Sequence, residues 1–251
     1  MKTELDRIRE LQALFSGVTS ERVREGIGDD AAVIGPPPNS ASHESLVWTV
    51  DAQVEGTHFR LDWLDWRDVG YRSFMAAVSD VAAMGARPLA ALSSLVLAKD
   101  VDDAAFQALT EGQAEASRMN YLPIVGGNLA RGHETSVTTT VLGTLDASRG
   151  ERAFTRHDAR PGDVVWLGGE VGLAAAGMAA LEKKVQDARI AECVAAWRRP
   201  RARFDLSIAL HMASLGRGSV AGDRAHTPSA VIDVSDGLAL DTSRIAESSF
   251  V

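Results

Sequence analysis

Apolar residues recur along this chain with two different periods, and the switches between them predict an alternation of helices and strands. Leu5, Ile8, Leu11 and Phe15 fall on one side of a helix over residues 1–15. A short apolar run at residues 46–50 ends at Asp51 and predicts a strand. Residues 91–97, 122–125 and the Val- and Thr-rich 134–145 predict three more, the second running into Gly126-Gly127. Helical spacing covers residues 68–86 and 102–119. The first helix is expected to stop at Gly85 and Pro88, and the second to be capped by Asp100 or Asp102. Residues 35–44 are a loop by composition.

The pattern changes after residue 146. Residues 147–162 are polar, with Gly150 and Pro161-Gly162, and mark a boundary between a first domain (1–148) and a second (149–251). In the second, 163–167 predict a strand that turns at Gly168-Gly169 into an alanine-rich helix over 171–184. A helix over 200–215, a Gly- and Ser-rich loop over 216–228, a strand over 230–234 and a helix over 237–247 follow. Mixed strands and helices set the class as α/β or α+β. The sequence has no short repeat.

Composition narrows the function. The chain has 251 residues, 45% of them hydrophobic, enough for one large or two ordinary domains with real cores. Its net charge of −8 and lack of a basic stripe argue against nucleic-acid binding. The single cysteine, Cys193, excludes an intramolecular disulfide and a cysteine-rich zinc site. The longest apolar stretch, 171–181, is well short of the ~20 residues a membrane helix needs. With no signal-peptide pattern, the cytoplasm is the expected location.

Chemistry enters with acidic residues set among small neighbours: Gly28-Asp29-Asp30, Val50-Asp51, Ser79-Asp80 and Asp233-Val234-Ser235-Asp236-Gly237. Oxygen donors gathered from distant segments suit magnesium, which completes its shell with substrate phosphates. The chain lacks the G-x-x-x-x-G-K-[ST] loop, so this would be phosphoryl transfer without it. Each motif also has a plainer reading. Asp29-Asp30 after glycine suits a turn. Asp80 sits in an apolar helix, where a carboxylate needs a cation, a capping contact or an arginine. Asp236 suits an N-cap, and Asp233 ends the predicted strand beside it. Gly126-Gly127 permits close approach of a phosphate. His58 suits substrate contact or a structural role, and Arg156 a phosphate or solvent.

In this order the motifs resemble the thiamine-monophosphate kinase family, within the ATP-dependent superfamily that includes aminoimidazole ribonucleotide synthetase. The matching stretches are Gly26-Ile27-Gly28-Asp29-Asp30-Ala31-Ala32, then Val50-Asp51 through Gly56-Thr57-His58-Phe59, and Ser79-Asp80-Val81-Ala82-Ala83-Met84-Gly85-Ala86. Ile124-Val125-Gly126-Gly127-Asn128, Phe154-Thr155-Arg156, Arg160-Pro161-Gly162-Asp163, Arg199-Pro200 and Ile232-Asp233-Val234-Ser235-Asp236-Gly237-Leu238 complete the set. The resemblance implies a two-domain fold whose first domain holds a mixed sheet with helices, and whose second α/β domain is incomplete here. It implies transfer of the γ-phosphate of ATP to thiamine phosphate, making thiamine diphosphate, with several Mg²⁺ ions and no covalent intermediate. By position, Asp30, Thr49, Val50, Asp51, Asp80, Asn128, Asp233 and Asp236 would hold metal. Gly127, Asn128, Arg156 and Ser235 would contact ATP, and His58 thiamine phosphate. Pairing of the first domains would make a homodimer.

Three departures stand out. Asn128 occupies a position where the family has Asp, which implies weaker metal binding and a higher magnesium requirement. Val50 replaces a Ser or Thr. The sequence stops at Val251, before a Gly-Gly-Glu-Asp-like motif and a late aromatic expected to help bind thiamine, which predicts an incomplete second domain with exposed apolar surface. Two other functions fit the same motifs: another ATP-dependent enzyme of the superfamily, or an inactive nucleotide-binding dimer.

Overall fold

The computed structural model describes residues 3–17, 20–185, 187–215 and 228–251. The expected 216–228 loop lies, but for its last residue, outside the described residues. Helix α1 (Glu4–Phe15) is closed at its start by a capping box, in which Thr3 and Asp6 exchange side-chain and backbone bonds. Its apolar residues Leu11, Leu14 and Phe15 are exposed, so the C-terminal end of the predicted stripe covers no core among the described residues. Two short strands that the pattern did not predict, β1 (Val23–Glu25) and β2 (Ala32–Ile34), follow.

Strand β3 (Glu44–Val54) is longer than its apolar centre, because the alternation continues through Asp51 and Gln53. It pairs along its whole length with the antiparallel β6 (Ser136–Asp146). Strands β4 (Arg87–Leu97) and β5 (Ile124–Arg131) complete a six-stranded sheet in the order β1-β2-β3-β6-β4-β5. Only the β4–β5 pair is parallel. Its crossover is helix α3 (Asp103–Met119), which the Asp102 side chain caps by accepting from Ala105 N–H at 2.8 Å.

Helix α2 (Trp66–Ala83) lies on one face of the sheet, and Phe74, Met75, Val78 and Val81 pack into the core against Val47 and Val141. Asp65 caps it, accepting from Asp68 N–H at 2.7 Å. Gly70 and Gly112 set the approach of α2 to α3: a Cβ on either would lie 1.9 Å from a backbone oxygen of the other helix. The opposite sheet face leaves Trp48, Val50 and Leu92 exposed.

The remaining chain supplies helices α4 (Leu173–Glu182), α5 (Ala191–Arg198), α6 (Phe204–Leu215) and α7 (Leu238–Ser249). It grips the sheet half at named points. The ring of His211 stacks on Phe154 and bonds Gly85 O at 2.8 Å. Arg199 pairs with Glu115 at 2.5 Å and lies over the Tyr71 ring. The strands expected at 163–167 and 230–234 are not formed. Neither stretch has a ladder partner among the described residues, and Val164, Val165 and Trp166 are exposed. Among the described residues, no helix is long and apolar enough to cross a membrane.

Candidate active site

Four separate segments converge beside the N-terminal turn of β2. Asp30 lies two residues before that strand, Thr49 and Asp51 lie on the helix-side face of β3, Asp80 sits in the last turn of α2, and Asp233 arrives on the extended stretch before α7. Val231 N–H donates to Thr155 O at 2.8 Å, which guides that stretch into place without a ladder. Carboxylate oxygens of Asp30, Asp80 and Asp233 all lie within 4.8 Å of one another.

Each carboxylate is held by a specific donor. The Thr49 hydroxyl donates to Asp80 Oδ2 at 2.7 Å and lies 3.2 Å from Asp30 O. Ser79 donates to Asp233 Oδ2 at 2.6 Å. The Arg156 guanidinium pairs with Asp30, and its backbone N–H donates to Asp29 Oδ2 at 2.9 Å. Asp30 Oδ2 is buried and has no partner. Among the described residues no arginine pairs with Asp80.

Three mutually close, desolvated carboxylates disfavour one another's ionisation. Burial, and then the charge of Asp233, push Asp30 up to about 7. Burial, again followed by Asp233, pushes Asp80 up to about 8. Burial also raises Asp233, against the bond from Ser79. Such a group is stabilised by a bound cation, and the orphaned Asp30 Oδ2 offers a ligand atom in place. The donor set, all oxygen and tightly spaced, fits a hard divalent ion.

The other expected residues sit around this trio. Asp51 shares the face of Thr49 and accepts from Gln53 Nε2 at 3.3 Å. Asp236 pairs with Arg244 at 2.7 Å, and it is not the N-cap: Gly237 occupies that position without a side-chain cap. Ser235 donates its backbone N–H to Asp241. His58, in the turn after β3, is exposed and accepts from Val54 N–H at Nδ1, 3.1 Å.

Sheet register locates Gly127 and Asn128. Asp51, Thr139, Ser93 and Gly127 form one cross-strand row. Three strand spacings separate its ends, about 14 Å. Asn128 belongs to the next row, with Ser94, Thr138 and Ala52, and so shares the open face with Val50. The structure therefore does not bring the Val50 side chain, Gly127 or Asn128 to the trio within one chain.

Sequence reasoning missed several partners. Arg156 is a counter-ion to Asp30 before it is anything else. Asp241 is fully buried beside the Ser-Asp-Gly turn, and the only local signal was its i, i+3 spacing to Arg244. Glu25, Asp29 and His157 form a second close group, in which His157 Nε2 meets Glu25 at 2.9 Å.

A mixed sheet with helices on one face and a carboxylate site at its edge defines the class. Residues 28–145 match the model of the AIR synthase related protein, N-terminal domain. The sequence is similar to the thiamine-monophosphate kinases. It is 33% identical to that of Bacillus subtilis over 233 residues, covering 90% of this chain and 65% of the relative. It is 32% identical to that of Escherichia coli K12 over 240 residues, covering 94% and 66%. The chain thus spans just under two thirds of these relatives' length. A solved structure described as AaThiL complexed with AMPPCP and TMP superposes with a TM-score of 0.81 at 27% identity, covering all of this chain and 73% of that one. The thiamine-monophosphate kinase of Stenotrophomonas maltophilia gives 0.71 at 28% identity, covering 98% and 71%.

Proposed function

We propose that the protein is a thiamine-phosphate kinase that transfers the γ-phosphate of ATP to thiamine phosphate, giving thiamine diphosphate and ADP. The observation that carries this is the close trio of buried Asp30 and half-buried Asp80 and Asp233, with its unpartnered Asp30 Oδ2. The similarity to named kinases, and to a relative described with an ATP analogue and TMP, supports the substrates.

Asp30, Thr49, Asp51, Asp80, Asp233 and Asp236 would hold magnesium, which when bound neutralises the two polyphosphates and favours in-line attack. An oxygen of the thiamine phosphate attacks the γ-phosphorus, and the bond from that phosphorus to the β-bridging oxygen breaks. ADP leaves with the electron pair. The attacking oxygen is already anionic, so no side chain has to remove a proton. Arg156, now paired with Asp30, supplies a mobile positive charge for the nucleotide phosphates, with Gly127, Asn128 and Ser235 as further contacts. His58 Nδ1 is occupied by Val54 N–H, which leaves Nε2 for the thiamine phosphate.

The two-domain division at 148–149 and a homodimer belong to the same reading. Trp48, Val50 and Leu92 make an exposed apolar stripe on the sheet face opposite α2, and a second copy would cover it. Val50 and Asn128 lie on that face, so pairing would bring them toward the other copy.

Product analysis by mass spectrometry, after incubating the 251-residue chain with ATP, magnesium and thiamine phosphate, tests this. Equal amounts of thiamine diphosphate and ADP are expected. ADP without thiamine diphosphate, or neither product, overturns the assignment for this chain.

A further inference from the structure

The Ser235-Asp236-Gly237 turn has no side-chain cap of its own, yet its three successive backbone N–H groups are satisfied. All three donate to one atom, Asp241 Oδ2, at 3.0, 3.1 and 3.1 Å. Asp241 stands four residues into the chain beyond the turn, on the first turn of α7, and is only 1% exposed. Its other oxygen, Oδ1, accepts from Arg244 at 2.9 Å. The same Arg244 nitrogen reaches Asp236 Oδ2 at 2.7 Å.

A nest of consecutive N–H groups at a helix start ordinarily attracts an external anion. Here it is filled from inside. An internal carboxylate, fully used by four donors, fixes the turn without competing for the ligand atoms of Asp233 and Asp236. Arg244 couples the two parts. While bound to Asp241 it offers Asp236 only part of its charge.

We propose that Asp241 is a positioning residue for the metal site. Its carboxylate locks the 235–237 turn, so that Asp233 and Asp236 face the site, and it holds Arg244 so that Asp236 can exchange that arginine for a cation. The second half rests on the magnesium-dependent reading above, and the first half does not.

The test uses the full chain and two readouts. Hydrogen exchange without ligand follows the amides of Ser235, Asp236 and Gly237. Calorimetry with magnesium alone follows cation affinity. In Asp241→Ala, protection of the three amides should fall at least about tenfold, since bonds to a charged acceptor are lost, while α2 and β3 amides keep theirs. Magnesium affinity should fall by a similar factor.

Asp241→Asn retains one acceptor oxygen for the turn but presents an amide N–H₂ to Arg244. Turn protection should persist, and magnesium affinity should drop because Arg244 now closes fully on Asp236. Adding Arg244→Gln to Asp241→Asn should restore that affinity. Unchanged turn exchange in Asp241→Ala overturns the locking role. Magnesium affinity equal to the parent in Asp241→Asn, or no rescue by Arg244→Gln, overturns the coupling, and should Asp241→Ala not fold, the Asn pair decides alone. None of these readouts uses thiamine phosphate, so a wrong acceptor substrate would show only in the product analysis.

Discussion

Ser79 donates to Asp233 across 154 residues of sequence at 2.6 Å, joining the last turn of α2 to the extended stretch before α7. This bond and the Val231–Thr155 bridge help hold Asp233 in the trio, since among the described residues no strand ladder anchors its segment. Ser79→Ala removes the charge-assisted bond and leaves Asp233 Oδ2 without it. Thermal unfolding should show a loss of about 1–2 kcal/mol. The magnesium needed for half-maximal turnover should rise, because Asp233 loses its orientation. An unaltered magnesium dependence would place Asp233 outside the metal set.

The carboxylate trio sets a pH dependence opposite to that of a salt-bridged acid. Asp30 and Asp80 have folded values near 7 and 8, above the unfolded 3.8. Between those values the folded state binds more protons than the unfolded state. Stability without metal is therefore fullest below about pH 4 at these groups and falls as pH rises through 7 to 8, by about 1.4 kcal/mol per pH unit for each proton retained. Magnesium should reverse the trend by replacing the protons. Melting scans from pH 5 to 9, with magnesium and with a chelator, should give curves that diverge as pH rises. Parallel curves would show that the trio does not take up the ion.

Arg156→Ala tests the counter-ion of Asp30. The guanidinium is mostly buried against two buried carboxylates, and its removal leaves them uncompensated. Unfolding of the metal-free protein should lose about 3 kcal/mol at neutral pH, where breaking one side of a buried pair is costly. Magnesium should recover part of that loss, and if Arg156 also meets the nucleotide, turnover should stay low. Arg156→Lys keeps the charge but not the fork, and should fall between the two.

Much of this was legible in the sequence. Four strands and the helices α2 and α3 announced themselves by period, and Asp102 by its place before a helical run. The acidic residues of the trio were visible because small neighbours surrounded them. What failed has physical causes. Strands β1 and β2 have three residues each, too short for an alternation to register. Residues 163–167 have the apolar content of a strand but no neighbour to pair with among the described residues, and propensity alone does not form a ladder. The Arg156–Asp30 pair and the role of Asp241 were missed because their meaning lies in partners: Asp30 is 126 residues from Arg156, and the nest around Asp241 exists only once the turn has formed.

Gly127 shows a backbone constraint. A Cβ there would lie 1.7 Å from Ser93 O on the paired strand β4. That oxygen belongs to the ladder and cannot retreat without opening the β4–β5 pairing. Gly127→Ala should therefore lower the melting temperature and expose β5 amides to exchange, even before any effect on nucleotide binding. Gly126 provides the control, since its Cβ would meet only the Leu92 side chain at 3.3 Å. Gly126→Ala should be tolerated within about 1 kcal/mol.

Asn128 stands apart from the carboxylate trio. It lies on the open sheet face, one register row beyond Gly127, and Gly127 is about 14 Å from Asp51 by strand spacing. An added charge there is too remote to act on Asp30, Asp80 or Asp233 through a shared ion in one chain. Asn128→Asp should leave the magnesium-induced stabilisation of the ligand-free protein unchanged. If Asn128 meets an ion carried by the nucleotide, the same change should lower the magnesium concentration that supports half-maximal turnover. The two titrations together locate the residue: a shift in turnover alone assigns it to the nucleotide end of the site, and a shift in neither removes it from the metal set.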